Sequence, residues 1–131
     1  MATKIQITVD CADVTVVMAF WGPAPGHVPE PPPPGPAADL PRRYGALVDP
    51  DGVGPPLFFH TVPEPKVAEN RWHLDVEVTD RFQSPAEREA AIAAKVAALV
   101  ALGCDLQETI HEGGGTFTVL HDPEPNEFCV Q

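Results

Sequence analysis

His73, His60 and Cys129 are the side chains of this chain with the widest chemical reach. An imidazole changes charge near neutral pH, so His73 can serve as general base, hydrogen-bond anchor or metal ligand, and it is the candidate for any catalytic role. His60 is the other good ligand type, and Cys129 can ligate as a thiolate. Gln6 offers an amide, and with His60 and His73 it would make a borderline nitrogen and oxygen site. Plainer readings stand beside these. His73 fits a polar histidine hydrogen-bonded to Asp75 or Gln6. Cys129 fits a buried thiol under the terminal strand, because free cysteine usually packs as a small hydrophobe. Phe58, Phe117 and Trp21 would supply aromatic walls, which ligand pockets combine with a few polar anchors.

Two further groups carry less. The acidic pairs Asp49/Asp51 and Asp122/Glu124 lie in the turn sequences Asp49-Pro50-Asp51-Gly52 and Asp122-Pro123-Glu124-Pro125, and turn chemistry accounts for them. Gly113-Gly114-Gly115 has neither a lysine nor a helix behind it, so it reads as a hairpin turn and not as a phosphate loop.

The elements that must position these residues occur twice. In the first half the alternating strand 4–9 places Ile5, Ile7 and Val9 on one side and Lys4, Gln6 and Thr8 on the other. Asp13 can cap a short helix from Val14 to about Trp21. An edge strand near His27–Glu30 follows, then Ala46–Val48 and Leu57–Val62, joined by a hairpin through Asp49–Pro56. In the second half His73–Val78 is the first strand. Ser84-Pro85-Ala86-Glu87 is a capping box with proline at the first helical position. Ile92, Val96, Leu99 and Val100 form the apolar stripe of that helix, and Gly103 stops it. Asp105–Glu108, Thr116–Leu120 and Glu127–Val130 are the remaining strands. The order is strand, helix, three strands, and then the same again. The expected fold is α+β: two βαβββ modules in pseudo-twofold arrangement, helices on one face and a concave trough on the other. Module one covers about residues 1–66 and module two about 70–131, within a single domain.

The segment 23–36 is dense in proline, including the run Pro31-Pro32-Pro33-Pro34. It predicts a stiff polyproline-like surface excursion, with a docking peptide or a lid as the functional alternatives. A chain of 131 residues with 44% hydrophobic composition can bury one proper core. A net charge of −11 repels phosphate backbones, which argues against nucleic acid as a partner. No apolar stretch approaches a membrane span, and Met1-Ala2-Thr3-Lys4 runs into a strand pattern without a signal peptide. Cys11, Cys104 and Cys129 show no CxxC spacing, which suits reduced thiols. The expected location is the cytoplasm.

Several phrases of the sequence resemble the glyoxalase-like domain proteins of the vicinal oxygen chelate superfamily, the group of glyoxalase I, bleomycin-resistance proteins and extradiol dioxygenases. They are Asp10-Cys11-Ala12-Asp13 with Ala19-Phe20-Trp21, the turn Asp49–Gly52, Val62–Lys66, Asn70–Val76 and Asp122–Val130. The likeness spans essentially the whole chain. It implies a cup-shaped, barrel-like mixed sheet around the site, and a homodimer. The family usually has glycine where Pro125 stands, and proline resists positive φ, so the second turn is expected to be of a different type from the first.

Metal-using members of the superfamily carry four ligands on the first and last strands of the two modules. The repeat maps those positions to Lys4, Phe58, His73 and Cys129. Lysine does not ligate at neutral pH and phenylalanine has no donor, so no metal is favoured as cofactor. A divalent ion is possible only with a shifted register that brings in His60 and Gln6, and His73 and His60 are the only good ligand candidates. The resemblance therefore implies a small-molecule binding protein of the glyoxalase/bleomycin-resistance type, its ligand held in an aromatic-lined cup by Gln6, Trp21, Phe58, His60, His73, Phe117 and Cys129. The alternative is a metal-dependent lyase, isomerase or dioxygenase acting on vicinal oxygens, and a third reading is protein interaction through the proline-rich segment.

Overall fold

The computed structural model describes residues 2–31 and 43–131. Its elements are β1 (Ile7–Cys11), α1 (Val14–Trp21), β2 (Val28–Pro29), β3 (Tyr44–Val48), β4 (Leu57–Thr61), β5 (Asp75–Val76), α2 (Pro85–Ala101), β6 (Asp105–Glu112), β7 (Gly115–His121) and β8 (Glu127–Val130). They form two four-stranded sheets with the same strand order, β1-β4-β3-β2 and β5-β8-β7-β6. In each, the first and last strands run parallel and the others antiparallel. The architecture is α+β, two βαβββ modules. The compact units meet in sequence at Pro65 and Lys66. Pro32–Pro34 and Pro36 of the proline-rich segment lie outside the described residues.

In module one Asp13 caps α1, its carboxylate accepting from the Thr15 and Val16 amides at 2.8 and 3.3 Å. The buried stripe Val14, Val17, Phe20 and Trp21 faces β3 and β4, over Leu47, Leu57 and Phe59. Gly45 lets the helix approach: a Cβ there would overlap Met18 Sδ and stand 2.8 Å from Val14 Cγ1. Large apolar side chains buried this completely contribute about 1.5–3 kcal/mol each.

In module two the expected capping box is formed. Ser84 Oγ accepts from the Glu87 amide at 3.2 Å, and the Glu87 carboxylate accepts from the Ser84 amide at 2.7 Å. Ile92 and Leu99 are buried against a sheet face made by Thr118, Leu120, Phe128 and Val130. Gly103 takes φ +108° just beyond the helix, and Gly113 and Gly114, at +62° and +76°, make the tight turn between β6 and β7. β6 is the outer strand of its sheet, exposed along nearly all its length, and carries Asp105, Glu108 and Glu112. Lys66 Nζ donates to Glu127 Oε1 at 2.9 Å and the Asn70 amide to Glu127 Oε2 at 2.8 Å, which ties the segment before β5 to β8.

Four expectations need correction. β1 starts at Ile7, not residue 4, because its pairing with the β4 side begins where the Ile7 amide donates to Pro56 O. β5 is confined to Asp75–Val76, not His73–Val78, where its ladder to Cys129 and Val130 is regular, although bonds from Cys129 to Leu74 and from Val78 to Gln131 flank it. Val100 is 45% exposed and lies off the α2 stripe. Pro125 holds φ +24°, so the second turn does reach the positive region that Gly52 occupies at +70° in the first.

Candidate functional site

Strand alternation gives each sheet one face under its helix and one face away from it. In module one the buried Leu57, Phe59 and Leu47 turn toward α1. Their neighbours Phe58, His60, Tyr44 and Ala46 lie on the opposite face, in register with Thr8 and Asp10 of β1. Asp10, His60 and Tyr44 therefore form one row across three adjacent strands. The Tyr44 ring lies parallel to the His60 imidazole, 5.0 Å between centroids with a 6° interplanar angle, and stacks at 5.8 Å on Phe58. His60 Nδ1 is 3.7 Å from Asp10 Oδ1. Tyr44 is 56% exposed.

In module two His73 lies just before β5 and Asp75 opens it, so two-residue spacing puts both on one side. Asp75 is paired with Cys129, and Cys129 with Val119, on the face away from α2, where Phe117 follows two residues along β7. The donor atoms of His73, Asp75 and Cys129 all lie within 4.8 Å of one another. His73 Nε2 is 3.4 Å from Asp75 Oδ1, and Gln131 Nε2 donates to Asp75 Oδ2 at 3.4 Å. Cys129 is 7% exposed. Burial, and secondarily the Asp75 charge, push its thiol above the usual cysteine range, so it carries its proton at neutral pH.

This donor set fits a divalent ion. Nitrogen, oxygen and sulfur together suit a borderline ion such as zinc, and three protein donors is the number a catalytic zinc site uses. Donors about 2.0–2.3 Å from an ion stand at most ~4.6 Å apart, so a small closing movement brings this trio into range. Bound there, an ion would act as a Lewis acid on a substrate oxygen. Holding it requires Cys129 to lose its proton.

The sequence-derived residues thus fall into separate groups. His73 and Cys129 are neighbours, with Asp75 as a third donor. Phe58 and His60 are neighbours, with Tyr44 and Asp10. Lys4 and Gln6 are exposed ahead of β1. Trp21 is 5% exposed on the α1 side of its sheet, edge to face with Phe20 at 5.2 Å, away from Phe58 and His60. The sequence names Asp75 only as a partner of His73, and it does not single out Tyr44. The first was readable from its His-x-Asp spacing on a strand, but the second depended on cross-strand register. Of the turn carboxylates, Asp49 and Asp122 are consumed by their own turns. Asp49 accepts from the amides of Asp51, Val53 and Gly54 at 2.9, 3.0 and 2.7 Å. Asp122, 2% exposed, accepts from the amides of Glu124 and Asn126.

Paired βαβββ modules with candidate residues on the helix-free faces define a class, and comparison with known proteins agrees with it. The glyoxalase-like domain family matches residues 6–131, and the chain belongs to that family. No curated protein matches the sequence. Among solved structures, a glyoxalase/bleomycin resistance protein/dioxygenase family enzyme from Burkholderia phytofirmans is similar at TM-score 0.68 and 16% identity, over 95% of this chain and 94% of that one. A possible glyoxalase from Bacillus cereus is similar at TM-score 0.68 and 12% identity, over 100% and 99%. A mutant of the fosfomycin resistance protein FosX from Listeria monocytogenes, complexed with Mn(II) and dihydroxypropylphosphonic acid, is similar at TM-score 0.70 and 11% identity, over 100% and 90%. Among the described residues no helix is long and apolar enough to cross a membrane.

Proposed function

We propose that this chain is a small-molecule binding protein of the glyoxalase/bleomycin-resistance type, with its ligand stacked on the helix-free face of module one. The observation that carries the reading is the Tyr44, His60 and Phe58 stack, with Tyr44 exposed. Rings stacked on a sheet, parallel for Tyr44 and His60 and tilted by 29° for Phe58, have few degrees of freedom left to lose, and a planar ligand adds to the stack as a further layer. The test is polarisation of a neutral planar dye such as acridone. The intact protein should bind it, and Tyr44→Ala should weaken binding about tenfold. Absence of binding, or binding indifferent to Tyr44→Ala, defeats the reading.

A second reading is a metal-dependent lyase, isomerase or dioxygenase, and the observation favouring it is the trio His73, Asp75 and Cys129. The Mn(II) complex of FosX adds weight, although that protein is only 11% identical. Cobalt titration checks it directly. A thiolate-to-cobalt absorption band, proton release, tightening with rising pH and loss of the band in Cys129→Ala are the expected results. Cobalt bound no better than to a His73→Ala, Cys129→Ala double variant removes this reading.

A further inference from the structure

Resting on the reading of the aromatic face as the ligand site, the charges around that face point to the class of ligand: we propose a planar cation, an aromatic amine or a protonated nitrogen heterocycle. Asp10 closes the row that His60 and Tyr44 begin, 3.7 Å from His60 and 67% exposed on its side chain. At the far side of the sheet the Glu30 amide donates to Ala46 O at 2.9 Å, opposite a residue of the same face. Antiparallel register puts Glu30 on that face too. Neither lysine nor arginine occurs in β1, β2, β3 or β4. The face thus has stacked rings in its middle, a carboxylate at each side and no cationic side chain from its own strands.

Ring faces carry negative potential and attract a cation laid over them. The two carboxylates act in the same sense, and no lysine or arginine of β1, β2, β3 or β4 offsets them for an anionic ligand. The stack sets the shape of the ligand, and Asp10 sets its charge.

The test compares three planar tricyclic dyes in slightly alkaline buffer, where imidazoles are ordinarily uncharged: an aminoacridine cation, neutral acridone and an acridine carboxylate. The full chain should bind the cation about tenfold more tightly than acridone, and the carboxylate most weakly. Asp10→Asn should bring the cation close to acridone and leave acridone unchanged. Asp51→Asn, the same change of charge in an exposed turn, should leave the preference intact. Tyr44→Phe should retain binding of both dyes. Acridone bound in a Tyr44-dependent way with no preference for the cation overturns the charge class alone. A preference lost equally in Asp51→Asn assigns it to the overall field of the protein and overturns it as well. No dye bound at all defeats the aromatic-face reading together with this inference. Thermal unfolding of each variant separates loss of the site from loss of the fold.

Discussion

A single carboxylate organises each of two turns, Asp49 between β3 and β4 and Asp122 between β7 and β8. Hydrogen bonds from the Gly54 amide first, and then from Asp51, hold Asp49 below the usual aspartate range. For Glu127 burial works the other way, but Lys66 and the Asn70 amide prevail and its pKa is lowered. A depressed carboxylate stabilises the fold above its unfolded-state pKa, and that stability is lost as pH falls through the folded-state value. Stability followed by circular dichroism should therefore begin to fall as pH drops through the ordinary carboxylate range and go on falling below it. Asp49→Asn and Glu127→Gln should each be less stable at neutral pH and flatter on the acid side, and an unchanged acid limb would show that these bonds do not survive in solution. Pro125 offers the opposite case. Its ring favours φ near −65°, while it sits at +24°. Such strain costs about 1–3 kcal/mol, and glycine gives back about 0.5–1 kcal/mol in entropy. Pro125→Gly should raise the melting temperature, and a fall would show a relaxed turn.

At the level of elements, the close seat of α1 on β3 depends on one missing methyl group. Gly45→Ala should destabilise by about 1–3 kcal/mol in denaturant titration, through overpacking against Met18 and Val14. Little change would mean that Met18 swings aside. How legible each element was follows from the kind of signal it left. α2 was readable because a capping box, an apolar stripe and a terminal glycine all agree, and β8 because a turn and a chain of apolar residues bracket it. The start of β1 was not readable, because alternation from Lys4 onward continues past the point where a hydrogen-bond partner exists. Tyr44 was hidden for a related reason. The β-branched and apolar run suggested a strand from Ala46, and only pairing with His60 extends it backward. His73 and Cys129 were visible as chemistry. Their meeting with Asp75 depends on a parallel pairing between residues far apart in sequence.

At the level of the whole chain, the two halves keep one strand order while their helix-free faces have diverged. One presents rings, the other presents donors. The homodimer implied by the family likeness predicts a light-scattering mass twice the 14.0 kDa of the chain. A mass of one chain at micromolar concentration would exclude it. The outer strand β6 sets a further condition on how these molecules behave in crowded solution. The backbone groups of β6 that do not bond β7 stand open to a neighbouring strand, and Asp105, Glu108 and Glu112 would bring like charges together if a second copy arrived. Amide substitution of those acids should therefore raise light scattering on standing, and unchanged scattering would show that something else guards the edge.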